Sequence, residues 1–142
     1  MFLVTKQVEF AAAHRLYKEG LSDAVNHELF GACANPYGHG HNYLLEVCVK
    51  GIPREDSEMV VHFAKLKLLL HELVVTPLDH RHLNHDVAFL KGILPTSENL
   101  VRLLWERVGA AVADEPWKLY RMKLSSSPRS WVEYFGDADG HA

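Results

Sequence analysis

The chain has 142 residues, of which 48% are hydrophobic and 23% charged. It can therefore bury a core, and its composition excludes a disordered or collagen-like chain. A formal net charge of −3 provides no overall basic field for nucleic acid, and no apolar run approaches the ~20 residues that span a bilayer. The ten histidines are unusual, because imidazole is the commonest metal ligand and carries protons near neutral pH.

The first half of the chain predicts two strands separated by a long loop. Apolar residues alternate with polar ones over the first fourteen residues, which predicts a strand. Residues 15–38 are rich in Gly, Asn, Ser and Pro and are expected to form an irregular loop of the kind that is usually functional or mobile. A second strand is predicted from His41 to Val49.

The second half predicts two helices followed by two strands. The first helix has apolar residues at helical spacing up to Pro77, namely Phe63, Leu66, Leu70 and Leu73. Thr96 or Ser97 caps the second, whose apolar side is Leu100, Leu104, Val108 and Ala111. Strands follow near 118–124 and 130–135, with a turn over 125–129.

This order of elements predicts an α+β fold. We expect a single domain over residues 1–142, with a four-stranded antiparallel sheet and helices on one face. The open edges of such a sheet favour oligomerisation, because unpaired edge strands are a liability unless another subunit covers them. Cys33 and Cys48 are interpreted as free thiols in a reducing compartment. Met1–Ala13 lacks the apolar core of a signal peptide, and together these features predict a cytoplasmic protein.

The densest chemistry lies around a pair of histidines two residues apart. His39 and His41 would share one face of a strand and offer two nitrogen ligands. His14 ends the first strand in phase with its apolar residues and could supply a third ligand if the first two strands pair. A catalytic zinc site needs three protein ligands and an open position. The alternative is a set of structural histidines on a strand.

Other candidate residues lie in three short segments. Cys33 could act as a base or nucleophile near a cation, or it could be a small buried residue. Asp79 could orient His80 for proton transfer, or it could be a helix cap. Thr96 and Ser97 could bind an anionic or carbonyl group at a helix N-terminus as well as cap it.

Three ordered motifs together resemble the 6-pyruvoyltetrahydropterin synthase family, which includes the 6-carboxytetrahydropterin synthases of queuosine biosynthesis. The motifs are Cys-x5-His-Gly-His-Asn-Tyr, Leu-Asp-His-x-x-Leu-Asn and Pro-Thr-Ser-Glu-Asn. The similarity runs from about Val8 to Gly136. It implies the tunnelling fold, in which three subunits close their sheets into a barrel and two trimers stack into a homohexamer.

The resemblance also implies roles for individual residues. Zinc would be bound by His14, His39 and His41. Cys33 would be the general base, and Asp79 and His80 would form a proton relay from a neighbouring subunit. Thr96 and Ser97 fall where the family contacts the pterin.

The implied reaction converts 7,8-dihydroneopterin triphosphate to 6-pyruvoyl-tetrahydropterin with loss of triphosphate. The five residues between Cys33 and His39 resemble this pyruvoyl-forming group. The alternative is 6-carboxytetrahydropterin synthase activity, in which side-chain cleavage gives a 6-carboxy product and acetaldehyde. A third interpretation, from the residues alone, is a Cys-His-Asp hydrolase that keeps its activity without metal.

One position departs from the family pattern. Family members usually place on the strand after the second helix a Glu that binds the pterin, and Ser126 occupies that position here. A serine hydroxyl cannot give the charged two-point contact of a carboxylate. A buried ring donor without its acceptor would cost ~1–3 kcal/mol. The departure therefore also allows a non-catalytic homologue, or one with another ligand.

Overall fold

The computed structural model describes residues 1–137, whose strands form one sheet. In chain order they are β1 (Phe2–His14), β2 (His39–Gly51), β3 (Arg81–His82), β4 (Lys118–Ser127) and β5 (Ser130–Tyr134). The sheet order is β3-β1-β2-β4-β5. The four long strands pair antiparallel, as predicted. The two-residue β3 pairs parallel with β1 and was not predicted, because two residues carry no periodicity.

The helices are α1 (Asp23–Phe30), α2 (Phe63–Leu70), α3 (Thr76–Leu78) and α4 (Ser97–Ala111). A π-helical turn over His71–Val75 joins α2 to α3, so the predicted first helix continues past Pro77. The buried side chains of α2, α3 and α4 form one apolar cluster with those of β1, β2 and β4. Burial of this shared core is the main stabilising contribution to the fold.

The segment between β1 and β2 is more ordered than the sequence predicts. Instead of an irregular loop it contains α1 and a 3-10 turn over Gly31–Ala34. The hydroxyl of Ser22 caps α1 by accepting from the N–H of Val25 at 3.2 Å. The buried amide of Asn26 bonds the backbone of Lys18 and Leu21. These polar contacts order the segment, and because they involve no repeating apolar residues, the sequence shows no periodicity there.

Three smaller predictions are wrong in detail. Phe63 is 55% exposed because it is the first residue of α2, beside its cap His62. Ala111 is exposed, and Val112 is buried in its place. The turn expected from Ser125 is confined to the residues after Ser127, because Ser125 still pairs with both Leu44 and Trp131.

Within residues 1–137, none of the helices combines the length and the apolar character that crossing a membrane requires.

Candidate metal and proton-transfer site

The register of β1 and β2 brings three histidines together. His14 lies opposite His39, and Ala12 lies opposite His41. Directly paired residues share a face of the sheet and side chains repeat every second residue, so all three imidazoles project to the same side. The ring centroid of His14 is 5.1 Å from those of His39 and His41, which are themselves 4.7 Å apart.

The His14 ring is oriented by a backbone carbonyl. His14 is 4% exposed, and its Nδ1 lies 3.0 Å from the carbonyl oxygen of Pro95. A carbonyl only accepts, so Nδ1 carries the proton and the lone pair of Nε2 points toward His39. Burial lowers the pKa of His14, the bond to Pro95 opposes this shift, and the nearby His41 and His39 add to it. The imidazole is therefore held neutral, which is the form that binds metals.

The facing nitrogens fit a divalent metal. The Nε2 atoms of His14 and His39 are 3.2 Å apart. Two nitrogens bound tetrahedrally at the usual zinc distance would be about 3.3 Å apart. The sulfur of Cys33 joins them, since donor atoms of His14, Cys33 and His39 all lie within 4.8 Å of one another. The donor set of two imidazoles and a thiol suits zinc.

This donor group differs from the expected ligand set of His14, His39 and His41. His41 packs edge-on against both other rings, but it is outside the group of three donor residues found among residues 1–137. Burial and the neighbouring His39 lower the pKa of His41, while a hydrogen bond to the backbone of Ser126 raises it. Cys33 takes the third place in this donor group.

Cys33 lies in the 3-10 turn that follows α1 and is partly buried. Its carbonyl accepts from the N–H of Leu16 at 2.7 Å, which fixes the turn beside the end of β1. Burial, and secondarily the charge of a Cys33 thiolate, raise the pKa of Tyr43 above its usual value. The Tyr43 hydroxyl therefore stays protonated beside the thiol. Cys48 is buried and free, as expected for a core residue.

Asp79 and His80 form a hydrogen-bonded pair at the end of α3. Asp79 Oδ1 accepts from the N–H of Ala11 at 2.8 Å, and Oδ2 lies 2.8 Å from His80 Nδ1. The bond from Ala11, followed by the one from His80, lowers the pKa of Asp79. His80 has a φ of 59°, a strained left-handed conformation that costs about 1–3 kcal/mol. This turn lets two adjacent side chains meet, which a strand would not allow.

Within one chain, His80 lines the same open cavity as His41 but is set apart from His14 along β1. The N–H of His80 donates to the carbonyl of Ala11, which lies roughly 10 Å along β1 from His14. The His80 side chain is 83% exposed. No hydrogen bond among residues 1–137 joins Asp79 or His80 to the metal-donor group. Nε2 of His80 thus remains available to a group outside this chain.

The candidate substrate-binding residues flank the histidines. Thr96 caps α4, and its Oγ1 accepts from the N–H of Asn99 at 3.1 Å. Thr96 and Ser97 directly follow Pro95, so the carbonyl that orients His14 places the α4 N-terminus beside the cluster. Ser126 lies on β4, and its backbone is close enough to His41 to raise the pKa of that imidazole. The role of the Pro95 carbonyl has no sequence signal, because any residue type supplies a carbonyl.

Comparisons with known proteins identify the relatives of this chain. The family model described as 6-pyruvoyl tetrahydropterin synthase matches residues 3–137. The 6-pyruvoyl tetrahydrobiopterin synthase of Dictyostelium discoideum is 38% identical over 95% of this chain and 96% of its own length. The 6-carboxy-5,6,7,8-tetrahydropterin synthase of Bacillus subtilis is 30% identical over 77% of this chain and 66% of its own length. The solved structure of Caenorhabditis elegans 6-pyruvoyl tetrahydropterin synthase superposes with a TM-score of 0.84 at 40% identity, covering 96% of this chain and 97% of that one.

Proposed function

The chain belongs to the 6-pyruvoyl tetrahydropterin synthase family, and we propose that it is a zinc-dependent lyase that converts 7,8-dihydroneopterin triphosphate to 6-pyruvoyl-tetrahydropterin. The observation that carries the proposal is the meeting of His14, Cys33 and His39 donor atoms within 4.8 Å. A metal-ligand set and a thiol then share one site. The reaction releases triphosphate and rearranges the side chain internally, so it needs no external oxidant.

His14 and His39 would hold the metal, and the third ligand would be His41, as the family resemblance implies, or Cys33. Zinc at this position would act as a Lewis acid toward the hydroxyls of the substrate side chain. The Pro95 carbonyl supports this assignment because it fixes the His14 tautomer with Nε2 free.

Two groups would move protons. The Cys33 thiolate would remove a proton from the substrate side chain on one face. The His80 imidazole would handle protons on the other face through Nε2, with Asp79 holding its Nδ1 proton. Thr96, Ser97 and Ser126 would contact the pterin.

A homohexamer with sites at subunit interfaces would complete this arrangement. The exposed His80 supports it, because its imidazole makes no hydrogen bond to the metal-donor group among residues 1–137 and is open to a neighbouring subunit. The sheet also has two edges open to another subunit. One is β5, and the other is β1 outside Ala12 and Ala13, which pair with β3. Three sheets joined edge to edge would close a barrel and remove these edges. Free Cys33 and Cys48 suit the reducing cytoplasm, where we place the protein.

Two alternatives remain tied to specific observations. The similarity to a 6-carboxy-tetrahydropterin synthase supports that neighbouring activity, although it covers less of the chain than the pyruvoyl-forming relative does. Ser126 supports an altered ligand or loss of catalysis, because a serine replaces the carboxylate expected to bind the pterin.

Incubation of zinc-loaded protein with 7,8-dihydroneopterin triphosphate, with products identified by mass spectrometry, tests the proposal. We expect a 6-pyruvoyl product and triphosphate. A 6-carboxy product with acetaldehyde would assign the neighbouring activity.

Ser126→Glu should strengthen pterin binding, and Ser127→Glu, which moves the same charge one residue along β4, is its matched control. If Ser126→Glu turns over the substrate and the wild-type protein does not, the natural ligand is a different one. If neither the wild type nor Ser126→Glu turns it over, a non-catalytic homologue is favoured.

A further inference from the structure

Arg15 and Leu16, the two residues that follow β1, bond to the turn that carries Cys33. The Leu16 N–H donates to the carbonyl of Cys33 at 2.7 Å, and Arg15 Nε donates to the carbonyl of Ala34 at 3.0 Å. The guanidinium also lies 4.1 Å from the centroid of the Tyr17 ring, which restricts its motion. Because Arg15 and Leu16 continue directly from His14, these bonds fix the position of the Cys33 turn relative to the His14 ring.

The side chain of Asn84 holds Arg15 from the other side. The Arg15 N–H donates to Asn84 Oδ1 at 2.8 Å, and Asn84 Nδ2 donates to the Arg15 carbonyl at 2.8 Å. Both backbone groups of Arg15 are thus satisfied by one amide, as a paired strand would satisfy them. Asn84 therefore extends the order of β1 one residue beyond the sheet.

Asn84 also ends the segment that begins with the Asp79–His80 pair. Along this segment the N–H of His80 donates to Ala11 O at 2.6 Å, and the N–H of Leu83 donates to Ala13 O at 2.7 Å. The Asp79–Asn84 segment and the Cys33 turn are consequently fastened to the same strand, on either side of His14. Arg15 and Asn84 are the side chains that close this connection.

We propose that Arg15 and Asn84 are positioning residues for Cys33. This pair, the Arg15–Asn84 clamp, keeps the thiol at a fixed separation from the nitrogens of His14 and His39 and holds it in register with the Asp79–His80 segment. The inference rests on the proposed function for its kinetic consequences, but not for its structural ones. Neither residue is among the metal donors, and the side-chain bonds of the clamp reach the Cys33 turn and the Arg15 backbone, not an imidazole.

The test measures alkylation of Cys33 by iodoacetamide in zinc-loaded protein, read by mass spectrometry of its peptide. Cys48, which is 2% exposed, is the internal reference for general loosening. The variants are Arg15→Lys, which keeps the charge but lacks the Nε donor, and Asn84→Ala, which removes both amide bonds. Arg129→Lys, in the exposed turn between β4 and β5, is the matched control.

Loss of the clamp should raise the alkylation rate of Cys33 by up to about tenfold, the effect of one hydrogen bond on a local opening. With His41 as the third metal ligand, zinc content should not change, and the alkylation of Cys48 should not change either. In turnover assays kcat should fall about 10- to 100-fold while KM stays near the wild-type value, because misplacement affects the transition state more than binding. The loss of transition-state stabilisation in the Arg15→Lys/Asn84→Ala double variant should be smaller than the sum of the losses in the two single variants, since both residues act on one connection.

Cys33 alkylation within about twofold of wild type in both variants would overturn the proposal, since that is below the effect of one hydrogen bond. A parallel rise for Cys33 and Cys48 would overturn it too, because it would show general loosening. Absence of turnover in the wild-type protein would refute the proposed function. The alkylation rates would still decide the clamp in that case.

Discussion

Replacement of Asp79 by Asn should disable His80 without disturbing the fold. Asp79 makes two bonds, one from the Ala11 N–H and one with His80 Nδ1, both at 2.8 Å. Because the Ala11 N–H needs an acceptor, the amide oxygen of Asn stays on that side and the NH2 group faces the imidazole. That group donates to Nδ1, so the ring proton moves to Nε2, and the nitrogen that should accept a proton becomes a donor.

The structure predicts a large kinetic effect and a small effect on stability. Loss of a general base costs about 10²- to 10⁴-fold in kcat. The His80 side chain is 83% exposed, and an exposed pair of this kind contributes little to the free energy of unfolding. The assay is kcat with the triphosphate substrate, together with ¹⁵N NMR of the His80 ring to identify its tautomer.

Asp86→Asn is the matched control, because that carboxylate accepts from the His82 backbone N–H at 2.8 Å and makes no hydrogen bond to an imidazole among residues 1–137. It should retain kcat. The reasoning is refuted if Asp79→Asn shows the switched tautomer and still keeps kcat within about threefold of wild type, far below the loss expected for a general base.

Three further predictions concern the metal, the pH and the subunits. His41→Ala should lower zinc affinity by about 2–3 orders of magnitude, one ligand's share of a typical site. Cys33→Ala should retain zinc but lose turnover. A zinc titration in which Cys33→Ala loses zinc and His41→Ala retains it would make Cys33 the third ligand. In metal-free protein burial holds the pKa of His14 below 6.5, so the unfolded chain takes up the proton first and the free energy of unfolding falls as the pH drops below 6.5. Urea unfolding at neutral and mildly acidic pH should show this slope, and His14→Gln should flatten it. Mixing inactive Cys33→Ala and His80→Ala subunits should restore part of the activity, and confirmed mixed oligomers without recovery would place the whole site in one chain.

The sequence predicts the sheet and most of the histidine site because both follow from the alternation of side chains along a strand, which repeats every two residues. Alternation over β1 and β2 determines which residues face the core. If the strands pair, this alternation allows His14 to meet His39, and the observed register places them opposite each other. The sequence also predicts a cap at Thr96 or Ser97, because a capping hydroxyl acts within one turn of helix, and Thr96 provides it.

The remaining features depend on contacts that have no local pattern. The helix α1 is fixed by the buried amide of Asn26, and no apolar period marks it. The contact between Asp79 and His80 needs a positive φ at a residue that is not glycine, which no propensity predicts. The place of Cys33 among the metal donors depends on a turn held by Arg15 and Leu16.

The most direct test of the account is removal and return of the metal. Chelator-treated protein should lose turnover of 7,8-dihydroneopterin triphosphate, and one equivalent of zinc per chain should restore it. His39→Ala, which removes one of two nitrogens that lie 3.2 Å apart, should neither retain zinc nor recover activity. Full turnover by metal-free protein, or by His39→Ala, would contradict a metal-dependent lyase and favour a thiol-based hydrolase.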